Sequence, residues 1–173
     1  MRNWIDALAE EYLPPPDPQD SSDREHWQAH AKTGFFGKQG AGCVYFARDA
    51  KRVLLMLRSK DVEEKHTWGN CGGAHSDDET PLAAATREAR EETGYAGHFD
   101  MVPALVFTKG TFRYSNFFAI VDKEFVPHLG WEADDYEWCS VGDWPTPLHF
   151  GMRSLFDDAP SMNTLHKLMT DEV

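Results

Sequence analysis

Residues 73–95 read GAHSDDETPLAAATREAREETGY, and this stretch constrains the fold more than any other part of the sequence. Within it, Glu88, Glu91 and Glu92 are spaced by three residues and then by one. Because a helix turns by about 100° per residue, the three carboxylates project from one face within an arc of roughly 100°. Acids so close together repel one another unless a cation lies among them, and oxygen ligands suit a hard cation such as Mg²⁺. The stretch therefore predicts a helix that carries a metal site.

The same stretch marks where that helix begins and ends. Thr80 and Pro81 form a typical helix start, because a hydroxyl caps the first turn and proline lacks an N–H that would be unpaired there. Gly94 is placed to end the helix in a left-handed conformation. Upstream, Gly72 and Gly73 allow the backbone to approach a ligand closely. We therefore expect a glycine loop, an acidic connector, a capped helix and a glycine stop, in that order.

The whole stretch resembles the Nudix box, GX5EX7REUXEEXGU, in which U is an aliphatic residue. The fixed letters of that motif all match, at Gly73, Glu79, Arg87, Glu88, Glu91, Glu92 and Gly94. The two U positions hold Ala89 and Tyr95, and Cys71 replaces the proline that usually precedes the paired glycines. The U positions pack against the core, so these departures leave the chemistry of the motif intact.

This resemblance implies the Nudix fold, an α/β architecture in which a mixed β-sheet lies inside an α/β/α sandwich. We expect this Nudix hydrolase domain over residues 38–173. Residues 1–37 are predicted to form an N-terminal helix and a proline-rich arm, because apolar residues recur at helical spacing in 1–13 and PPPDP follows at 14–18. The sequence leaves open whether this arm packs on the domain, supports a homodimer or covers the substrate.

Apolar patterning predicts the elements of the domain. Strands are expected at 42–47 and 53–59 before the central helix, and at 101–108, 112–121 and 136–141 after it. Two further helices are expected at 148–156 and 163–169. Strands that flank a helix, with terminal helices to cover the other face, suit a layered α/β domain.

Nudix enzymes hydrolyse a nucleoside diphosphate linked to another group, by attack of water on phosphorus, with divalent metals that polarise phosphoryl oxygens. Arg87 is expected to orient the acidic cluster, and it lies four residues before Glu91, close enough to pair with it. The ligands that the resemblance implies for Mg²⁺, or for Mn²⁺ as the alternative, are the Gly73 carbonyl, Glu88, Glu91 and Glu92.

Candidates for the remaining roles lie partly outside the motif. The general base is either Glu88 or an acid from a loop, for which Glu132 in WEADDYEW (131–138) is the candidate; otherwise Glu132 is an exposed loop acid. Arg58 ends a predicted strand and is a candidate for binding substrate phosphate. Trp68 and Phe112 are candidates for stacking on a nucleobase, although aromatic residues on strands more often belong to the core.

Composition narrows the partners. Lys and Arg number 17 against 29 Asp and Glu, which gives a formal net charge of −12. Such a charge disfavours nonspecific binding to nucleic acid or to anionic membranes. The chain contains 3 cysteines without a CxxC pair, no apolar run of membrane-spanning length and no signal-peptide core. We therefore expect a cytoplasmic protein that acts on a small nucleotide and binds neither nucleic acid nor membrane.

The predicted activity is metal-dependent hydrolysis of a phosphoanhydride bond in a nucleoside diphosphate derivative or a nucleoside triphosphate. Subfamily markers outside the box do not identify which derivative. Two alternatives of other classes stay open at this point. One is a Nudix-fold isopentenyl-diphosphate isomerase, for which Cys71 lies suggestively close to the box, and the other is a noncatalytic sensor of a nucleotide metabolite.

Overall fold

The structure is a computed structural model that describes residues 38–170. The predicted N-terminal helix and proline-rich arm at 1–37 lie outside the described residues. The strands are β1 (Gln39–Ala47), β2 (Arg52–Arg58), β3 (Trp68–Gly69), β4 (Cys71–Ala74), β5 (Asp100–Lys109), β6 (Phe112–Val121) and β7 (Ala133–Ser140). The helices are α1 (Pro81–Thr93), α2 (Phe150–Asp157) and α3 (Ala159–Thr170).

The strands form one mixed sheet with β1 near its centre. Its main order is β3-β2-β1-β6-β5, while β4 also pairs with β1 and β7 also pairs with β2. The β1–β6 pair is parallel, from Gln39 opposite Arg113 to Ala47 opposite Val121. The other pairs are antiparallel. This arrangement confirms the predicted mixed sheet.

Both faces of the sheet are covered, and β1 shows why. Cys43 and Tyr45 pack on the side of α1, whereas Val44 and Phe46 pack on the side of α2 and α3. Side chains alternate between faces along a strand, so a strand buried on both faces is apolar at every position. The core on the side of α2 and α3 contains the apolar side chains of these helices, namely Met152, Leu155, Leu165 and Leu168. The predicted α/β/α sandwich is therefore confirmed.

The central helix α1 begins and ends where its sequence predicts. The Thr80 hydroxyl oxygen accepts a hydrogen bond from the Ala83 N–H at 3.2 Å, and Pro81 is the first helical residue. Gly94 adopts the left-handed conformation with φ 65° and donates its N–H to the Arg90 carbonyl. The buried side of the helix carries small alanines at Ala84, Ala85 and Ala89, which let the helix lie close to the sheet.

Several expectations about element boundaries were wrong, among them the start of β1, which is at Gln39 rather than at residue 42. The expected glycine loop is instead strand β4, which pairs with β1 from Gly40 opposite Ala74 to Cys43 opposite Cys71. Strand β7 begins three residues earlier than expected, so Asp134 and Asp135 lie in the strand rather than before it. The last helix begins at Ala159, because the Asp158 carboxylate accepts hydrogen bonds from the backbone and hydroxyl of Ser161. Within residues 38–170, no helix has the length and apolar character needed to cross a membrane.

Candidate active site

The acidic face of α1 is the side of the helix that carries Glu88, Glu91 and Glu92. Arg87 makes most of the hydrogen bonds on this face. Its Nε and Nη2 donate to the two carboxylate oxygens of Glu79 at 3.1 and 3.0 Å. Its Nη1 donates to Glu88 at 2.7 Å and to Glu91 at 3.1 Å. One planar guanidinium therefore ties the connector before the helix to two acids on the helix, a geometry that lysine cannot reproduce.

Glu92 lies at the inner end of the acidic face. One of its carboxylate oxygens accepts a hydrogen bond from the Gly72 N–H on β4, at 2.9 Å. Burial raises the pKa of Glu92 to about 8, against the lowering effect of the Gly72 bond, and the charges of Glu132 and Glu88 raise it further. A buried carboxylate with this environment is unfavourable as an anion on its own. The position of Glu92 therefore favours a cation beside it.

Glycine on β4 makes room for the neighbouring acid, Glu88. A Cβ atom placed on Gly73 would lie 2.6 Å from a carboxylate oxygen of Glu88, so any larger residue would displace that carboxylate. Burial raises the pKa of Glu88, and the bond from Arg87 opposes this shift. Glu91 differs from its neighbours, because 60% of its side-chain surface is exposed.

Glu132 lies close enough to two acids of α1, Glu88 and Glu92, for its charge to affect their pKa values. It lies with Trp131 at the tip of a turn in which the Ala133 N–H donates to the Gly130 carbonyl, at 3.4 Å. The Glu132 carbonyl accepts from the Ser59 N–H at 2.8 Å, which fixes the turn beside the end of β2. Burial raises the pKa of Glu132, and its charge in turn raises the pKa of Glu88 and adds to that of Glu92. The structure thus brings Glu132 into the neighbourhood of the box acids.

Arg58 supplies positive charge next to this cluster. It is the last residue of β2, and its positive charge partly offsets the burial that raises the pKa values of Glu132 and Glu92. Its Nε donates to the Glu63 carbonyl at 2.7 Å. Arg58 therefore joins the predicted acids at one place in the structure.

The two aromatic candidates occupy different surroundings. Trp68 packs against the core on the side of α2 and α3, and its N–H and carbonyl bond to Pro147 and His149. Phe112 is only 5% exposed and lies beside Tyr114, with 6.5 Å between ring centroids. Both side chains are thus packed against other residues, and their role in base stacking stays a prediction.

The donor chemistry of the site suits a divalent cation, although its side chains are not gathered into a ligand sphere. Among residues 38–170, no three His, Cys, Asp or Glu side chains converge in an arrangement that would hold a metal ion. Two of the predicted ligands, Glu88 and Glu91, both accept hydrogen bonds from Nη1 of Arg87. The hydrogen bond of the Glu92 carboxylate is to the Gly72 N–H instead. Partly buried carboxylate oxygens beside a backbone carbonyl suit a hard, oxygen-preferring ion.

Several contributors to the site were missed by sequence reasoning. His149 caps α2 through a hydrogen bond from the Gly151 N–H, and its side chain is largely buried. Glu64, which lies beside it, carries no motif. Trp131 is 68% exposed next to Glu132, and an exposed tryptophan can be recognised only once burial is known. These residues are recognised from their contacts and burial in the folded structure, not from a sequence motif.

A mixed sheet between helices, with a glycine strand facing an acidic helix, is the architecture of Nudix hydrolases. A sequence model described as the NUDIX domain matches residues 38–159. The chain therefore belongs to the NUDIX family.

Individual relatives agree with this assignment. A CMP-5'-(N-acetyl-N-hydroxy-3-aminopropyl)phosphonate hydrolase from Streptomyces rubellomurinus is 38% identical over 61 residues, which are 35% of this chain and 30% of that protein. The match thus spans about a third of the length of this curated relative. The crystal structure of a Nudix hydrolase from M. smegmatis, RenU, has a TM-score of 0.64 at 22% identity, covering 75% of this chain and 88% of that one. A C. elegans Ap4A hydrolase complex gives a TM-score of 0.55 at 20% identity, covering 76% and 96%.

Proposed function

We propose that this Nudix hydrolase cleaves a phosphoanhydride bond in a nucleotide derivative and depends on a divalent metal. The observation that carries the proposal is the meeting of three half-buried acids, Glu88, Glu92 and Glu132, beside the cation Arg58. Burial raises the pKa of each acid, so their ionised forms are electrostatically unfavourable there and gain from added positive charge. A phosphate-binding site that works through metal ions has this need.

The residues proposed to hold the metal are the box acids Glu88, Glu91 and Glu92 with the carbonyl of Gly73. Mg²⁺ is the proposed ion and Mn²⁺ the alternative, because carboxylate and carbonyl oxygens suit both. When bound, such an ion polarises phosphoryl oxygens and lowers the pKa of water. Glu92 is proposed as the main ligand, since its carboxylate is anchored by Gly72 and is not committed to Arg87.

Other residues are proposed to orient the metal ligands and to activate the attacking water. Arg87 orients Glu88 and Glu91 through the bonds described above, and Glu79 in turn holds Arg87. Glu132 is proposed to accept the proton of the attacking water, because burial raises its pKa toward the working pH of a general base. Glu88 is the alternative base.

Arg58 is proposed to bind the phosphate of the substrate, because its guanidinium lies beside the acids that act on phosphorus. It places a positive charge at the site itself, in a protein whose net charge of −12 otherwise repels a polyanionic substrate. Trp68 and Phe112 are retained as predicted contacts of the base, although both are packed against other side chains in this structure.

The substrate is proposed to be a nucleotide whose phosphate is linked to a second phosphoryl or phosphonyl group. This class includes nucleoside diphosphate derivatives and nucleoside triphosphates. The relative from Streptomyces rubellomurinus is named for a CMP-linked phosphonate, which belongs to this class, and its sequence is 38% identical over the matched segment. Cytidine derivatives therefore come first in the panel described below.

The isomerase alternative is disfavoured by the state of its cysteine. Cys71 is buried on β4, and burial raises the pKa of its thiol well above the ordinary value, with the charge of Glu92 adding to the shift. A thiol in such surroundings is a poor source of thiolate. The site does not favour the alternative of a noncatalytic sensor. Every acid of the Nudix box is present, as catalysis requires.

A cytoplasmic location and a homodimer are further proposals, and the first rests on cysteine usage. Cys43, Cys71 and Cys139 are free thiols in the described part of the chain, and all three are buried. Free buried thiols suit a reducing compartment.

The proposed function is tested by incubating the protein with a nucleotide panel in Mg²⁺ and identifying the products by mass. The panel contains CDP-linked alcohols, CMP-phosphonates, ADP-ribose, dinucleoside polyphosphates and nucleoside triphosphates. The expected result is release of a nucleoside monophosphate or diphosphate from at least one class, abolished by EDTA and restored by Mg²⁺. Turnover that persists in EDTA would contradict metal dependence, and failure to hydrolyse any nucleotide of the panel would contradict the reaction.

A further inference from the structure

The segment between β2 and β3, residues 59–67, is held in an unusual backbone conformation. Glu64 and His66 have positive φ angles of 48° and 59°, although neither is glycine. Non-glycine residues adopt this region at an energetic cost and persist there only when surrounding contacts fix them. The 59–67 loop therefore depends on anchors elsewhere in the molecule.

Glu64 provides the main anchor. One of its carboxylate oxygens accepts a hydrogen bond from the Phe150 N–H, the first residue of α2, at 2.8 Å. The same oxygen lies 3.6 Å from Nε2 of His149, and only 9% of the Glu64 side chain is exposed. Because His149 Nδ1 accepts from the Gly151 N–H, its proton resides on Nε2 and points toward the carboxylate. A buried acid at a helix start is favoured by the helix dipole and by these donors.

The residue next to Glu64 holds Arg58. The Glu63 carbonyl accepts from Arg58 Nε at 2.7 Å, and the Arg58 backbone pairs with Thr67 and His66. The stem of Arg58 passes over β3, where a Cβ on Gly69 would lie 3.3 Å from Arg58 Cδ. Within residues 38–170, no acceptor takes a hydrogen bond from the Nη atoms of Arg58. The loop thus fixes one side of the guanidinium and leaves two nitrogen atoms for a ligand.

We infer that Glu64 is a positioning residue, which fastens the 59–67 loop to α2 so that Arg58 presents its guanidinium to the phosphate of the substrate. This inference rests on the proposed function, since it takes the site to bind phosphate beside Glu92 and Glu132. Removing the carboxylate takes away the hydrogen bond that Glu64 accepts from the half-buried Phe150 N–H and frees a strained loop. The Glu63 carbonyl then shifts, and Arg58 shifts with it.

The test is a double-mutant cycle on phosphate binding and on turnover. Arg58→Ala, Glu64→Ala and the double variant are compared with wild type, using calorimetry with methylenediphosphonate in Mg²⁺ as a probe that cannot be hydrolysed. Each single variant is expected to weaken binding, and to raise KM, by roughly tenfold, as for loss of one charge-assisted contact. The double variant is expected to be no weaker than Arg58→Ala, because residues that act through one another are not additive.

Asp158→Ala is the matched control. Asp158 is also a carboxylate at a helix start, where it accepts from the Ser161 N–H at 2.9 Å, but it lies at α3. This variant should lower Tm about as much as Glu64→Ala while binding the probe like wild type. Equal binding by Glu64→Ala and Asp158→Ala, multiplying effects in the double variant, or normal binding by Arg58→Ala would each overturn the inference.

The inference and the proposed function can fail separately. If no nucleotide in the panel is hydrolysed but the binding cycle is non-additive as expected, the proposed function fails and the role of Glu64 stands. If nucleotides are hydrolysed and the cycle is additive, the role of Glu64 is overturned and the proposed function stands.

Discussion

Replacing Arg87 by lysine tests separately the positive charge and the planar geometry of the side chain that binds Glu79, Glu88 and Glu91. The charge stays, but the planar fork that binds Glu79 through two parallel bonds is lost, together with the shared Nη1 that reaches Glu88 and Glu91. A lysine ammonium can satisfy one of these acids well and leaves the others to rearrange. Arg87→Lys therefore tests whether the orientation of the acids matters.

The stability cost is expected to be small. The Arg87 side chain is 37% exposed and its partner Glu79 is 23% exposed, so solvent screens much of the attraction. Loss of the paired geometry at such a site costs about 1 kcal/mol, which lowers Tm by roughly 2–4 °C in a domain of this size. Activity should suffer far more, because partners that orient metal ligands commonly account for roughly 10–100-fold in metal affinity or turnover.

The assay measures turnover of the best substrate in the panel across a Mg²⁺ titration, with thermal unfolding in parallel. Arg90→Lys is the control, since Arg90 lies on the same helix and stacks over Phe99 with its Cζ 5.3 Å from the ring centroid. Arg87→Lys should require more Mg²⁺ or turn over more slowly, while Arg90→Lys should match wild type. Unchanged Mg²⁺ dependence and turnover in a folded Arg87→Lys variant would show that the geometry of Arg87 is not needed to orient the acids.

Three further expectations follow from the structure. Glu132→Gln should lower kcat by roughly 10²-fold with little change in KM, as for a general base, and a silent variant would move that role to Glu88. Gly42→Ala should destabilise the protein by about 1–3 kcal/mol in denaturant unfolding, because its Cβ would overlap the Cys71 carbonyl oxygen and the Tyr114 hydroxyl, whereas Gly130→Ala has open space and should be neutral. Burial lowers the pKa of His149 well below 6.5, so as the pH falls this imidazole is protonated in the unfolded chain before it is protonated in the folded protein. The free energy of unfolding should therefore decrease as the pH drops below 6.5. His149→Asn keeps a capping acceptor and should flatten that fall, and an unaltered pH slope would argue against a buried neutral His149.

Local signals predicted the part of the site that lies on α1. The hydroxyl cap at Thr80, the proline after it and the left-handed Gly94 are short-range features, and each acts within one or two turns of the helix. The spacing of the glutamates then places them on one face whatever surrounds the helix. The acidic face and its boundaries could therefore be predicted from the sequence.

The rest of the site depends on contacts between distant segments. The glycines before the box form a strand because β1 is available to pair with them, and Gly72 then donates to Glu92, 20 residues away. Glu64 and Phe150 are separated by 86 residues, and neither lies in a recognisable motif. Glu132 was predicted from its position before a strand, yet its nearness to Glu92 follows only from the pairing of β2 with β7.

The most direct test of the account is the Mg²⁺-dependent turnover of Glu92→Gln. This change keeps the shape of the side chain and its acceptor for the Gly72 N–H, but it removes the buried charge that is proposed to hold the metal. We expect a folded variant whose turnover falls by roughly 10²-fold or more, as when metal-organised electrostatics are lost. A folded Glu92→Gln variant with wild-type turnover and wild-type dependence on Mg²⁺ would contradict the central claim.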